Sequence, residues 1–476
     1  MSLIRYVERV RYRDVLGNVC LMVRLLAFVL LVPLGVSLLA GEFLYSLILG
    51  GLVLASFGLG IVGRRAGEFQ IEGKEALIVV GLSYLAFFVF GAMVYLPAAG
   101  FWDGLFEAVS GFTTTGLSVL KVESLPRTAV FFRSYSQWIG GVGIVILGLI
   151  VFRLPGRDAR SLLGPDFHTQ SLLGTIRQTA RKVLAVYLVL TGLGFLAFAL
   201  AGMGWFDALV HILSTVSTGG FSSHSRSVGF FPGPAIPAVM IVFMTLGGIG
   251  FPAYYRLVRR GPGAFFRDAE LLLLLGLGLG ASVLFILVDV GSGRPALTGL
   301  FQSFSALTTT GFATVGYDRW PSLVKGLSVV LMCLGGSSFS TAGGFKLIRV
   351  VILAKLMGWF VAKRILPPTA TVPITVEGTP VSEGDLKTVF SLLVFGLVIL
   401  VLSSTAFMLA GFAPLDSVFE CTSALGTVGL SSGITSSRLP AVLRLVLMFD
   451  MWAGRLEILS VLVILFPPVW AGRRVK

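Results

Sequence analysis

One frame of residues occurs four times in this chain, and few folds can accommodate it. Around Gly116, Gly220, Gly311 and Gly429 the same spacing recurs without a gap. Two positions before each glycine stands a threonine (Thr114, Thr218, Thr309, Thr427), and six before stands a serine (Ser110, Ser214, Ser305, Ser423). Nine before stand Glu107, His211, Gln302 and Glu420; thirteen before stand Asp103, Asp207, Thr298 and Asp416. One position after comes a large apolar residue, Leu117, Phe221, Phe312 or Leu430. The glycines lie 104, 91 and 118 residues apart, several-fold longer than solenoid repeats, so the chain is built from a duplicated unit.

The units are membrane-embedded. Of 476 residues, 55% are hydrophobic and only 13% charged, the mean hydropathy is +0.93, and several runs reach the roughly 20 apolar residues a spanning helix needs. Ten spans are expected, at 21–40, 43–62, 75–96, 128–152, 183–201, 236–256, 269–288, 322–360, 388–410 and 440–466. The first two form a close pair; a cleaved leader is the competing reading of the first, but its apolar run is long for one. The other eight bracket the four repeats, giving units at 67–155, 156–262, 263–370 and 371–476 after an N-terminal unit at 1–66.

The net charge of +14 is distributed unevenly. With the N-terminus cytoplasmic, the inner segments collect Arg64, Arg65, Lys74, Arg153, Arg157, Arg160, Arg177, Arg181, Lys182, Arg259, Arg260, Arg267, Lys363, Arg364, Lys387, Arg473, Arg474 and Lys476. The outer segments hold Lys121, Arg127, Arg226, Arg294, Arg319 and Arg438. That bias fixes the orientation by the positive-inside rule and explains the basicity without nucleic acid. Cys20, Cys333 and Cys421 form no paired motif and are expected as buried free thiols.

The repeated stretch is too short to span. Asp103 to Thr113 makes about 16 Å of helix, half of the ~30 Å hydrocarbon core. It reads as a re-entrant half-helix, capped at its start by Asp103, Asp207, Thr298 or Asp416, followed by a non-helical Thr-x-Gly stretch. Irregular backbone at that depth must be buried in protein or line water. Backbone carbonyls can replace the water shell of a cation, and glycine allows the required backbone angles. Four such strands can surround one axis. The expected lining is Thr113, Thr114, Thr115 and Gly116; Ser217, Thr218, Gly219 and Gly220; Thr308, Thr309, Thr310 and Gly311; and Gly426, Thr427, Val428 and Gly429. The fold class is therefore an all-α polytopic membrane protein, with a helix pair and four helix–re-entrant–helix units in pseudo-fourfold array around one cation pathway.

The stretches Ser110–Ser118 (SGFTTTGLS), Ser214–Ser222 (STVSTGGFS), Ser305–Thr314 (SALTTTGFAT) and Ser423–Ser431 (SALGTVGLS) resemble the Trk/Ktr/HKT superfamily of potassium transport proteins, most closely its TrkH-type members. So do Gln137–Ile144 (QWIGGVGI), Ser340–Lys346 (STAGGFK) and Ala453–Leu459 (AGRLEIL), and the resemblance covers nearly the whole chain. It implies that Gly116, Gly220, Gly311 and Gly429 belong to a potassium selectivity filter; members with serine at the first position tend to favour sodium. It also implies a homodimer in a bacterial or archaeal cytoplasmic membrane, working with a cytosolic nucleotide-binding RCK (TrkA-type) subunit and needing no cofactor beyond the transported K⁺. No segment here is long enough to hold a nucleotide-binding domain.

Two features read as gating elements. The 322–360 run is interrupted by Gly335, Gly336, Gly343 and Gly344 with intervening hydroxyls, the mark of a broken helix lining a cavity. The resemblance implies an intramembrane loop obstructing the pore. Lys346 follows it, either as part of the barrier or as a snorkelling side chain. Arg455 lies inside the last span, where a charge faces a cavity or a partner. The resemblance implies that it projects into the pore; the alternative is an ion pair with Asp450 or Glu457. Glu107, His211, Gln302 and Glu420 are either a cation-gathering vestibule or hydrogen-bonded anchors of the half-helices.

Rival classes find little support. Zinc-protease, Walker A and G-x-S-x-G motifs are absent, which argues against an enzyme, and no helix carries an arginine ladder for voltage sensing. Potassium symport coupled to protons or sodium stays open.

Overall fold

The computed structural model describes residues 9–65, 73–151, 176–367, 373–376 and 379–471. The basic residues Arg5, Arg153, Arg157, Arg160, Arg473, Arg474 and Lys476, and His168, lie outside them.

The N-terminal pair is α1 (Tyr12–Leu39) and α2 (Phe43–Arg65). The first unit comprises α3 (Gly73–Val94), α4 (Phe101–Phe112) and α5 (Arg127–Val151). In the second, α6 (Ile176–Leu200) and α7 (Trp205–Val216) are followed by α8 (Ala235–Gly248), α9 (Phe251–Arg260) and the short α10 (Pro262–Phe265). The third has α11 (Ala269–Asp289), α12 (Ala296–Leu307), α13 (Ser322–Leu334) and α14 (Leu347–Ile365). The fourth has α15 (Glu383–Leu409), α16 (Pro414–Leu425), α17 (Ala441–Arg455), α18 (Leu459–Leu465) and α19 (Pro467–Ala471). Among the described residues six helices are long and apolar enough to cross a membrane unaided. Leu39, Leu200 and Leu409 are 92%, 89% and 84% exposed, surface that in a chain this apolar faces lipid.

The four half-helices, α4, α7, α12 and α16, are each 12 residues long. The second helix of each unit packs against the half-helix of the next: α5 on α7, α8 on α12, α13 on α16, and α17 back on α4. This cyclic packing is the pseudo-fourfold array. The pair α1–α2 stands outside it, against α3 and α5.

Four details differ from the sequence reading. First, α1 and α6 begin at Tyr12 and Ile176, before the apolar runs at 21 and 183, because a basic helical turn needs no apolar residues. Second, the 236–256 run is two helices at 92°, broken at Ile249–Gly250. Pro252 at the start of α9 cannot continue α8. Third, the 440–466 run breaks after Arg455, with Glu457 and Ile458 at φ 52° and 64°. Fourth, Asp103, Asp207, Thr298 and Asp416 do not cap their half-helices. The caps are Gly100, Gly204, Pro295 and Ala413, none using a side chain, and the acids stand in the first turn. There they still complement the helix dipole. The expected break after Leu334 is present, spanning 335–346.

Candidate functional site

All sixteen expected lining residues lie on the four strands that leave the half-helices. Thr114, Thr218, Thr309 and Thr427 take left-handed backbone angles, φ 54°, 50°, 54° and 49°. Gly116, Gly220, Gly311 and Gly429 follow at 98°, 78°, 81° and 92°. In an ordinary strand successive residues face opposite sides; alternating left- and right-handed residues cancels that pleat. For threonine this conformation costs about 1–2 kcal/mol, and it persists only where its surroundings enforce it.

The glycines show how the strands meet. A β-carbon on Gly116 would run into the carbonyl oxygen of Gly219; on Gly220, into that of Thr310; on Gly311, into that of Val428; on Gly429, into that of Thr115. The series passes from unit one through two, three and four and returns to one. The strands form a closed ring, with one carbonyl of each against the glycine of its neighbour.

Each strand is braced by its own half-helix. The Gly116 and Gly429 amides donate to the Ser110 and Ser423 hydroxyls, both at 3.0 Å, and Ser305 donates to the Phe312 carbonyl at 2.6 Å. The residues nine positions before the glycines are fully buried and hold the outgoing chain. Glu107 accepts from Ser118 (2.7 Å) and the Val119 amide (2.9 Å); Glu420 accepts from Ser431 (2.7 Å) and the Ser432 amide (3.0 Å). Gln302 accepts from the Thr314 amide at 3.2 Å, and His211 bonds Ser222 at 2.9 Å. They are anchors rather than an exposed vestibule. Glu107 also pairs with buried Arg133 at 3.0 Å, and that guanidinium lies 4.1 Å from the Phe221 ring centre.

The first-turn acids join neighbouring units. Asp103 pairs with Arg444 of α17, and Asp416 with Lys325 of α13 at 2.8 Å. Arg444 and Lys325 each stand four residues after a proline, Pro440 or Pro321; the matching positions after Pro126 and Pro234 are Val130 and Ala238. Asp207 meets no lysine or arginine among the described residues; it accepts from Ser223 at 2.6 Å and lies 3.7 Å from the His224 ring nitrogen.

Gly335, Gly336, Gly343, Gly344 and Lys346 all lie in the link between α13 and α14. This link is tied to three of the four strands from the side of the half-helix C-termini. The Gly343 amide donates to the Thr309 hydroxyl (2.7 Å) and the Gly344 amide to the Gly426 carbonyl (3.1 Å); the Thr341 hydroxyl accepts from Thr218 (3.3 Å) and donates to the Val216 carbonyl at the end of α7 (3.0 Å). Glu270 of α11 spans both ends of the link, accepting from the Ser338 and Ile348 amides at 2.9 and 3.0 Å. Lys346 is buried and its ammonium donates to the Ala342 carbonyl, so it does not snorkel.

Arg455, the last residue of α17, is 3% exposed. Its guanidinium donates to the Thr341 carbonyl at 2.9 Å and to the Gly140 carbonyl of α5 at 2.8 Å. It pairs with neither acid named as an alternative: Asp450 accepts from Ser403 at 2.8 Å, and Glu457 pairs with Arg349. Of the thiols, Cys421 is buried as expected, Cys20 is half-buried and Cys333 is exposed.

The family model for TrkH, described as a cation transport protein, matches residues 92–467. The chain belongs to the TrkH family. It is accordingly a multi-pass membrane transport protein and not an enzyme. It is 30% identical over 429 residues to the Trk system potassium uptake protein TrkH of Salmonella typhimurium, covering 86% of this chain and 88% of that one. Against the protein of the same name from Halomonas elongata it is 28% identical, covering 96% and 99%. An uncharacterized cation transporter of Methanocaldococcus jannaschii is 28% identical, with 94% of each chain covered. The crystal structure of the potassium transporter TrkH from Vibrio parahaemolyticus superposes with a TM-score of 0.85 at 27% identity, covering 97% of this chain and all of that one.

Sequence reasoning gave no role to Gln137, Arg133 or Glu270, and read Thr341 only as one of the hydroxyls interrupting the 322–360 run. The available signal was the same for Gln137, Arg133 and Glu270: a charged or amide side chain inside, or at the start of, an otherwise apolar helix.

Proposed function

We propose that this TrkH-family chain carries potassium ions into the cell across the cytoplasmic membrane of a bacterium or archaeon, through a gated pore. The observation that carries the reading is the closed ring of carbonyl-to-glycine contacts around one axis. Such a ring offers a cation oxygen ligands without fixed charge, so the ion can both enter and leave. Glycine at all four ring positions, and the potassium named for the relatives, favour potassium over sodium.

The barrier in this reading is the 335–346 link with Arg455. The guanidinium joins the third unit's link to the first unit's helix from the end of the fourth unit's helix, a crossing beneath the ring. The lysine- and arginine-rich ends of the spans face the cytoplasm, as do both termini. The units are those bounded at 66, 155, 262 and 370. Two copies of the chain form a dimer, and a cytosolic TrkA-type nucleotide-binding ring acts on the barrier from the basic side.

The test is uptake into liposomes holding only this purified chain, with K⁺, Rb⁺, Na⁺ and Li⁺ compared. Uptake of K⁺ and Rb⁺ well above Na⁺ and Li⁺ is expected. Equal uptake of all four would overturn the filter, and uptake only with an imposed proton or sodium gradient would replace the pore by coupled symport.

A further inference from the structure

The second unit departs from the repeat in a way that its neighbour explains. Where the other strands carry Thr115, Thr310 and Val428 directly before the ring glycine, this one carries Gly219. A β-carbon there would collide with the amide carbon of Gln137. Gln137 is fully buried on α5, the helix packed against α7. Its Nε2 donates to the Gly219 carbonyl at 2.5 Å and its Oε1 accepts from the Phe221 amide at 3.1 Å. The two backbone partners settle the amide's orientation, since one can only accept and the other only donate. Gln137 thus brackets Gly220 from outside the strand.

No other unit has this bracket in the described residues. Gln137 stands eleven residues after Pro126; the matching residues after Pro234, Pro321 and Pro440 are Thr245, Met332 and Met451. In the first and third units the residue before the ring glycine braces its own strand. Thr115 bonds Thr113, hydroxyl to hydroxyl, at 2.8 Å, and Thr310 bonds Thr308 at 2.7 Å. In the second unit the Gly219 amide donates to the Ser214 carbonyl at 2.8 Å, the Ser214 hydroxyl has no hydrogen-bond partner, and the side-chain brace at position 219 comes from α5.

The geometry points to Gln137 as a positioning residue for ion selectivity, acting through the Gly219 carbonyl. That oxygen is the one set against Gly116. Sharing it with an amide N–H fixes its place in the ring and lowers the field it offers an ion. Selectivity between K⁺ and Na⁺ depends on the number and field strength of such carbonyls, and the smaller ion gains more from an unshared one. Gln137 and a side chain at position 219 are mutually exclusive occupants of one space.

This inference rests on the reading of the ring as a potassium filter, and the controls separate the two. K⁺ and Na⁺ fluxes are measured in liposomes holding wild type, Q137M, G219T or Q137M/G219T, each first checked as a single chromatographic species. Methionine is the chosen replacement because buried methionines fill the matching positions in two units; if Q137M does not fold, Q137T, after Thr245, takes its place. The K⁺/Na⁺ flux ratio should fall about three- to tenfold in Q137M, the effect of one lost hydrogen bond of this kind. G219T should lose flux, and the double variant should recover it. A wild-type flux ratio in Q137M, or wild-type flux in G219T, overturns the inference. A wild type that does not distinguish K⁺ from Na⁺ overturns the filter reading itself.

Discussion

The Arg455 guanidinium donates to the carbonyl oxygen of Thr341 at 2.9 Å, locking the end of α17 onto the middle of the link between α13 and α14. Its second bond, to Gly140 at 2.8 Å, reaches α5 in a different unit. The two terminal nitrogens of one guanidinium thus hold both carbonyls at once. Charge-assisted hydrogen bonds of this kind contribute about 1.5–3 kcal/mol each.

Arg455→Ala should therefore raise cation flux by at least about tenfold, the effect of losing a single such bond. Flux into liposomes at matched protein content measures it. An unchanged rate would remove Arg455 from the barrier.

Gly116→Ser should lower the K⁺/Na⁺ flux ratio. The residue sits at φ 98°, and its new β-carbon would push on the Gly219 carbonyl. Competition of Na⁺ with K⁺ uptake is the readout, and an unaltered ratio would take Gly116 out of the ring.

The pair of Glu107 and Arg133 is buried, with side chains 0% and 3% exposed. Removing one partner leaves an uncompensated charge, at a cost of about 3–5 kcal/mol. Arg133→Leu alone should lower the melting temperature of the detergent-solubilised protein markedly. Glu107→Gln combined with it should recover much of the loss, since Gln302 and Leu447 occupy the matching positions in other units. Equal losses in the single and double variants would contradict this.

Ser225 in the second unit donates its hydroxyl (2.5 Å) and amide (2.8 Å) to Glu123 in the first. These bonds hold the Glu123 carboxyl below its ordinary value of 4.5. A depressed carboxylate adds stability above its unfolded pKa, and that stability is lost as pH falls through the folded one. The advantage of wild type over Glu123→Gln should be present at pH 7 and gone well below pH 4.5, the ordinary value. It should be small, because the site is exposed. Melting curves across that range test it; an advantage that survives at the acid end would contradict the assignment.

Much of the site was legible because its geometry restricts residue type. A left-handed residue two positions before a close-approach glycine leaves the same Thr-x-Gly trace in each unit, so four copies revealed four strands. The half-helices were legible from length alone. Other features left no such trace. Asp103 in the first turn and Asp103 at the cap look alike in sequence; the start of α4 at Phe101, with Gly100 as its cap, distinguishes them. The turn at Glu457 and Ile458 places a β-branched residue at φ 64°, a conformation no sequence rule anticipates. The break at Gly250 was signalled by Pro252 and was obscured by apolar residues on both sides. Gln137 shows the general limit: its role depends on a strand eighty residues away.

The central claim, a passive potassium pore sealed beneath its ring, is tested most directly on Arg455→Ala in a planar bilayer. The zero-current potential is measured under a tenfold K⁺ gradient, then again with a pH or Na⁺ gradient added. The account predicts a potential near the K⁺ equilibrium value, about 59 mV for a tenfold gradient of a monovalent ion, unmoved by either added gradient. A potential that follows the proton or sodium gradient would contradict it and establish coupled transport instead.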